Sequence, residues 1–342
     1  MDNTIYDYIS EEDVNSSFTF YGPMEMALQN DERTILASSG IKLTFSILLL
    51  AILVLSLLGN VSTCVVVIRD NSMRTPTNGY LFNLAVIDLL ITLAVPVDVY
   101  IIWQPDYYPF GEVGCYMHML IMDGLINARV MTICAFTIER YLVISKPFLR
   151  QSLAKMSRVY KIIAAIWIMS CAFCFPEVLT VELMEKKKFV YCLTTMSNSQ
   201  RIYSVAVQVF LIFMVPMAMI SILYTLIAIK LRSTKRSPVT GNLYREKAVR
   251  MLAAVAASFF FCWSPMTVMQ VMIMMPKYRQ RYYYDTWRVI HYIATVNGYM
   301  TTIVNPILYS LMSRKFRQAF KDIFRRKKAP TQSRYDLKVC NT

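Results

Sequence analysis

The sequence predicts an all-α membrane protein: a seven-transmembrane helix bundle with a short amphipathic helix after the seventh span. Two observations carry this. Of 342 residues, 56% are hydrophobic and only 17% are charged, whereas a soluble domain holds about a quarter charged residues. Seven apolar runs also approach or exceed the roughly 20 residues that a helix needs to cross a bilayer. They are Ile41–Ile68, Thr77–Trp103, Cys115–Ile144, Tyr160–Leu179, Ser204–Leu231, Ala248–Met275 and Val289–Leu311. The chain accordingly divides into an amino-terminal tail over 1–40, the seven-helix domain over 41–311, and an amphipathic helix with its tail over 312–342.

Charge predicts the orientation. The segments 69–76, 146–161, 230–250 and 313–342 hold 24 Lys or Arg against 4 Asp or Glu. Short loops rich in Lys and Arg stay in the cytoplasm. The amino terminus is therefore expected outside the cell, in the plasma membrane, with the carboxyl terminus inside. The net charge of +14 belongs to that inner face and to the anionic leaflet beside it, so membrane lipid is an expected partner and nucleic acid is not. Residues 1–40 are polar, with eight acids and one base, so no cleavable leader is expected and the first span must direct insertion itself. That tail reads as a solvated segment or a folded cap over a ligand. Its Asn15-Ser16-Ser17 sequon is a candidate glycosylation site; Asn60-Val61-Ser62 fits the same pattern but lies in mid-membrane.

Of eight cysteines, only Cys115 and Cys192 fall where an oxidising compartment is expected, and they are predicted to form a disulfide. After the seventh span, Phe316, Phe320, Ile323 and Phe324 recur at helical spacing among bases. This is the pattern of a helix lying on the inner leaflet. Cys340 is too distant to be the usual lipid anchor after such a helix.

Several groups are rare within lipid-length helices, where a proline frees backbone carbonyls and a charge is expensive. They are Gly59-Asn60, Asn83-Leu84-Ala85-Val86-Ile87-Asp88, Glu139-Arg140-Tyr141, Trp167, Pro216 with Tyr224, Cys262-Trp263-Ser264-Pro265 and Asn305-Pro306-Ile307-Leu308-Tyr309. In this order, over roughly 41–324, they resemble the rhodopsin-like (class A) G-protein-coupled receptors. The resemblance implies that Arg140 is held at rest and later packs against a helix inserted by a heterotrimeric G protein, with Tyr224 and Tyr309 as partners and arrestin as a further one. It also implies that Phe259 and Trp263, beside the Pro265 kink, convert ligand contact into movement of the sixth span.

Arg129 departs from that pattern. It lies about 16 Å from Arg140 along the third span and on nearly the same face. Asp88 reaches a similar depth in the second span. Isolated charges there are costly, so the two are expected to pair, although Thr301 or Asn305 could serve Arg129 instead. In related receptors a small hydroxyl residue at this position helps the aspartate hold sodium. Here the guanidinium would take the ion's place.

The mouth of the bundle carries the candidate ligand residues Asp98, Met122, Asp123, Asn127, Trp263, Arg288, His291 and Thr295. Met122 stands where amine receptors need an aspartate, which disfavours that class. Asp98 and Asp123 suit a cationic group, which an arginine of the ligand would supply bidentately, or they pair internally with Arg288 or a loop lysine. His118 and His291 read as pocket or interface side chains, and no metal, cofactor or catalytic residue is expected; nothing forms a phosphate loop, a zinc helix or a nucleophile elbow. Met73-Arg74-Thr75-Pro76-Thr77-Asn78, Ile126-Asn127-Ala128, Ala135-Phe136-Thr137-Ile138-Glu139-Arg140-Tyr141 and the run Leu311–Phe320 resemble thyrotropin-releasing-hormone receptors and related neuropeptide receptors. Those bind amidated peptides and act through Gq-type proteins. Asn127 matches a ligand-binding asparagine of that group, whereas Asp123 and Thr295 replace its binding tyrosine and arginine. An acid at 123 is similar to receptors of the neuromedin U and pyrokinin group, whose peptides bear arginine. The expected function is therefore reception of an amidated neuropeptide with a basic residue. The alternatives are a class A receptor for a non-peptide ligand, or a ligand-independent seven-helix scaffold or transport protein.

Overall fold

The computed structural model describes residues 39–104, 107–178, 181–186, 189–194, 198–233, 254, 257–272, 281–312 and 314–324. Span one is Ser39–Arg69, an unbroken apolar helix without proline. Asp70 then caps a short 3-10 turn, accepting from Ser72 N at 2.8 Å. Thr75 caps span two through Asn78 N at 3.4 Å, with Pro76 in the first turn, where its missing N–H costs nothing. Span two runs as two helices, Pro76–Thr92 and Val95–Trp103. The break falls at Leu93 and Ala94 because Pro96 cannot donate to the carbonyl one turn back.

Span three is Gly111–Ser145, entered through Gly111 at φ +63°, and span four is Met156–Val178. Between spans four and five the chain forms an antiparallel hairpin, β1 Val181–Lys186 and β2 Phe189–Thr194, with Leu183 opposite Cys192. This hairpin is an addition to the all-helical expectation. Span five comprises Asn198–Gln208, a π-helical turn Val209–Met214 and Val215–Ser233. The turn lies just ahead of Pro216, and Val215 N bonds Phe210 O five residues back. Such a wide turn accommodates the carbonyl that the proline leaves unpaired. Span six is described over 257–272. Span seven is Arg281–Met312, with Pro306 inside it, and the amphipathic helix is Arg314–Phe324.

Among the described residues, five helices are long and apolar enough to cross a membrane. Span seven is less uniformly apolar because it buries Thr301, Thr302 and Asn305 toward its neighbours. Span three packs against spans two, four and five, and span seven against spans one and two. Polar groups tie the helices as well. Trp167 Nε1 donates to Asn83 Oδ1 at 3.0 Å, and Asn83 Nδ2 to Thr132 Oγ1 at 2.9 Å, joining spans two, three and four. Spans one and seven meet closely where a Cβ on Gly59 would lie 2.8 Å from Pro306 Cγ. Phe316 and Ala319 of the amphipathic helix bury against Val66 and Met73, and Arg317 Nη1 caps span seven at Ser310 O, 2.9 Å away.

Candidate functional site

At one end of the bundle, Cys115 of span three is bonded to Cys192 of β2, with Cα atoms 5.5 Å apart. Tyr108 N donates to Val190 O at 2.8 Å, and the Tyr108 hydroxyl reaches Gly114 O at 3.1 Å and His118 Nδ1 at 3.2 Å. The hairpin is thus fixed over this end from both sides. Below it, Asp98 accepts from the buried Tyr299 hydroxyl at 2.6 Å. Asp123 is half-buried on span three, and Met122 packs on the apolar cluster around Ile91 and Leu125. His291 Nδ1 lies 3.4 Å from Met269 Sδ, and Thr295 is half-buried. Asn127 is buried and turns its amide to Cys174 Sγ of span four at 3.1 Å. Asn15 and the Arg288 side chain lie outside the described residues.

Halfway down, Arg129 Nη2 sits 2.5 Å from Asp88 Oδ1, with both side chains almost wholly buried. Arg129 Nη1 also donates to Thr301 Oγ1, and Asn305 Nδ2 donates to the second Asp88 oxygen at 2.8 Å. Of the three partners the sequence offers Arg129, two therefore coexist: Asp88 neutralises the charge and Thr301 accepts from Nη1, while Asn305 bonds Asp88 instead. A buried guanidinium is tolerated only with such company. Polar links continue from here toward the disulfide end. Thr92 Oγ1 bonds Asp88 O and Ser56 Oγ, Asn60 Nδ2 bonds Ser56 Oγ and Thr302 O, and Thr302 Oγ1 bonds Tyr299 O. Through Tyr299 that chain reaches Asp98.

Beside this polar core, Phe259 packs on Leu84, Val130, Ile133 and Ile220, with the Trp263 ring 5.8 Å from its own. At the opposite end, Tyr309 is buried against Tyr80 and Phe136, and Tyr141 and Tyr224 pack around them. Arg140 holds its guanidinium over the Phe136 ring, 5.4 Å from the centroid, a cation–π contact worth about 0.5–2 kcal/mol. Glu139 is buried and bonds not to Arg140 but to Arg158 Nη2 of span four, at 2.7 Å.

Residues 59–309 match the family model for the 7 transmembrane receptor (rhodopsin family). The chain belongs to this family. Among curated relatives of this rhodopsin-family receptor is the pyrokinin-1 receptor of Drosophila melanogaster, 32% identical over 339 residues, covering 81% of this chain and 78% of the relative. The neuromedin-U receptor 2 of Mus musculus is 30% identical over 301 residues, with 83% and 76% covered. Neurotensin receptor type 1 of Mus musculus is also 30% identical, with 83% and 78% covered. The resemblance to class A neuropeptide receptors read from the sequence is borne out by these relatives, and a multi-pass membrane protein without enzymatic chemistry follows from the family.

Several residues of the receptor's polar framework escaped the sequence reading, Thr92, Thr132 and Thr302 among them. Tyr299 lies two turns before Pro306, on the face that meets span two, so its spacing carried a usable signal. Ser56 precedes Asn60 by one turn and could have been found in the same way. Arg158 had no signal, because in sequence it is one more base in a basic inner loop.

Proposed function

We propose that this receptor sits in the plasma membrane with its amino terminus outside, binds an amidated neuropeptide bearing a basic residue, and activates heterotrimeric G proteins of the Gq type. The observation that carries the reading is the likeness, along about four-fifths of the chain, to receptors named for pyrokinin and neuromedin U. Two half-buried carboxylates, Asp98 and Asp123, in the half of the bundle nearest the disulfide support it. Asp98 is pre-oriented by the Tyr299 hydroxyl, and Asp98 and Asp123 together are the anchors for the ligand cation. Met122, His291 and Thr295 are the remaining contacts for the ligand, with Asn127 beneath, and Arg288 is offered as a further one from its place in the sequence. Trp263, Phe259, Pro216 and Pro265 relay ligand contact to span six; Asn305, Pro306, Tyr309 and Tyr224 rearrange with it; and Glu139, Arg140 and Tyr141 meet the G protein. Lys and Arg in the short loops of the Arg140 end support the orientation, and Asn15 carries a glycan on the outer tail. Arrestin and inner-leaflet lipid are the further partners of that inner face.

The test is GDP release from purified Gq, Gi and Gs heterotrimers by the reconstituted receptor, with a panel of amidated peptides that do or do not contain arginine. Release driven by an arginine-containing amidated peptide on Gq is the expected result. No release by any peptide on any heterotrimer overturns it.

A further inference from the structure

We propose that Arg158 is a positioning residue that sets how available Arg140 is to the G protein, because it occupies the carboxylate that Arg140 would otherwise take. This rests on the receptor reading above. Glu139 is 3% exposed, and a carboxylate so buried requires a cation. Two guanidinium groups are candidates: Arg140, its neighbour in sequence, and Arg158, nineteen residues on. The carboxylate goes to Arg158, whose Nη2 is 2.7 Å from Glu139 Oε2 and also donates to Leu153 O at 2.9 Å. The base is therefore held from two sides.

Arg140 forms no ion pair among the described residues: its guanidinium lies over the Phe136 ring, Glu139 and Tyr80 act on it only at longer range, and its buried Nε has no hydrogen-bond partner among the described residues. Successive helix residues point about 100° apart, so Glu139 can face span four while Arg140 faces the bundle axis. Removing Arg158 leaves Glu139 buried and unpaired, with the adjacent Arg140 as its replacement partner. Every Arg140 drawn onto Glu139 is lost to the G protein, so Arg158 biases the equilibrium toward the competent state.

The test uses the full chain in lipid nanodiscs, as wild type, Arg158→Gln, Glu139→Gln and the double variant. The readouts are agonist-independent GDP release and melting temperature. Arg158→Gln is expected to lower basal release about fivefold, the size of a modest coupling between two sites. In the Glu139→Gln background the same substitution is expected to change nothing, because no carboxylate remains to capture Arg140. A merely structural role for Arg158 would lower release equally in both backgrounds, and that result overturns the proposal. So does unchanged release from folded Arg158→Gln. Should Arg158→Gln not fold, Arg158→Lys, which keeps the charge, carries the same comparison: a smaller drop confined to the Glu139 background supports the proposal, and any other pattern overturns it. Failure of the wild type to respond to any agonist appears before a variant is made; it overturns the receptor reading, and this inference with it.

Discussion

Asp88 and Arg129 are the residues on which the middle of the receptor depends. Asp88→Asn leaves a guanidinium buried without a counter-charge and is expected to cost about 3–5 kcal/mol, read as a lower melting temperature. Adding Arg129→Met should recover most of that loss, because the double variant buries no charge. With a permanent cation beside Asp88, agonist affinity is expected to be equal in sodium chloride and in the chloride of a bulky organic cation; a sodium-specific shift that disappears in Asp88→Asn would refute this. At the ligand end, Asp123→Asn should weaken an arginine-bearing peptide by roughly 2–4 kcal/mol if a desolvated charge pair is lost, measured as binding affinity. Near the disulfide, burial pushes the Tyr108 hydroxyl up from 10.0 to about 12. Its neutral form is favoured in the fold, so its contribution to stability is whole below about pH 10 and disappears as pH rises through about 12. Tyr108→Phe should flatten the fall in melting temperature across that range. The pairing of Arg129 was legible in the sequence, because depth alone demands a partner for a mid-membrane charge. The pairing of Arg158 was not: nothing along the chain separates a base that reaches a buried carboxylate from one that rests in headgroups.

At the scale of elements, the spans were legible because twenty apolar residues in a row leave few alternatives. Their irregularities were only half visible. Pro216 signalled a defect in span five, but not that it would follow a wide turn, and the parting of span two ahead of Pro96 was not anticipated, since neighbouring helices decide how a freed carbonyl is satisfied. The hairpin was readable after the fact: Phe189-Val190-Tyr191-Cys192-Leu193-Thr194 is rich in aromatic and β-branched residues. Gly59 stood out only as part of a motif, whereas the structure supplies its cause in the approach of Pro306. Gly59→Ala is expected to force spans one and seven apart at a cost of about 1–3 kcal/mol, measured by thermal unfolding. It should also disturb Asn60, which bridges the same two helices through Thr302 O at 2.9 Å.

For the whole molecule, the central feature is a polar path through an apolar bundle, from Tyr299 and Asp98 beneath the hairpin to Asp88, Arg129 and Asn305 in the middle. Tyr309 and the Arg140 cluster lie beyond it. A ligand that met Asp98, as proposed above, would bear on Tyr299, and so on span seven, where the Asn305 amide is held by Asp88. The Cys115–Cys192 bond closes a loop of 77 residues and steadies the cover over this path. Its removal by Cys192→Ala is expected to lower the melting temperature, a loop of that size being worth about 4 kcal/mol in the chain-entropy account, and to weaken peptide binding in parallel.

The wide turn Val209–Met214 acts as a rotary offset. One surplus residue swings everything above it by about 100°, so Gln208 owes its bearing toward Gln270, 3.3 Å away, to the turn that begins at the next residue. Trimming that single residue would turn a different face of the outer half of this helix toward its neighbour, leaving the machinery at the other end untouched.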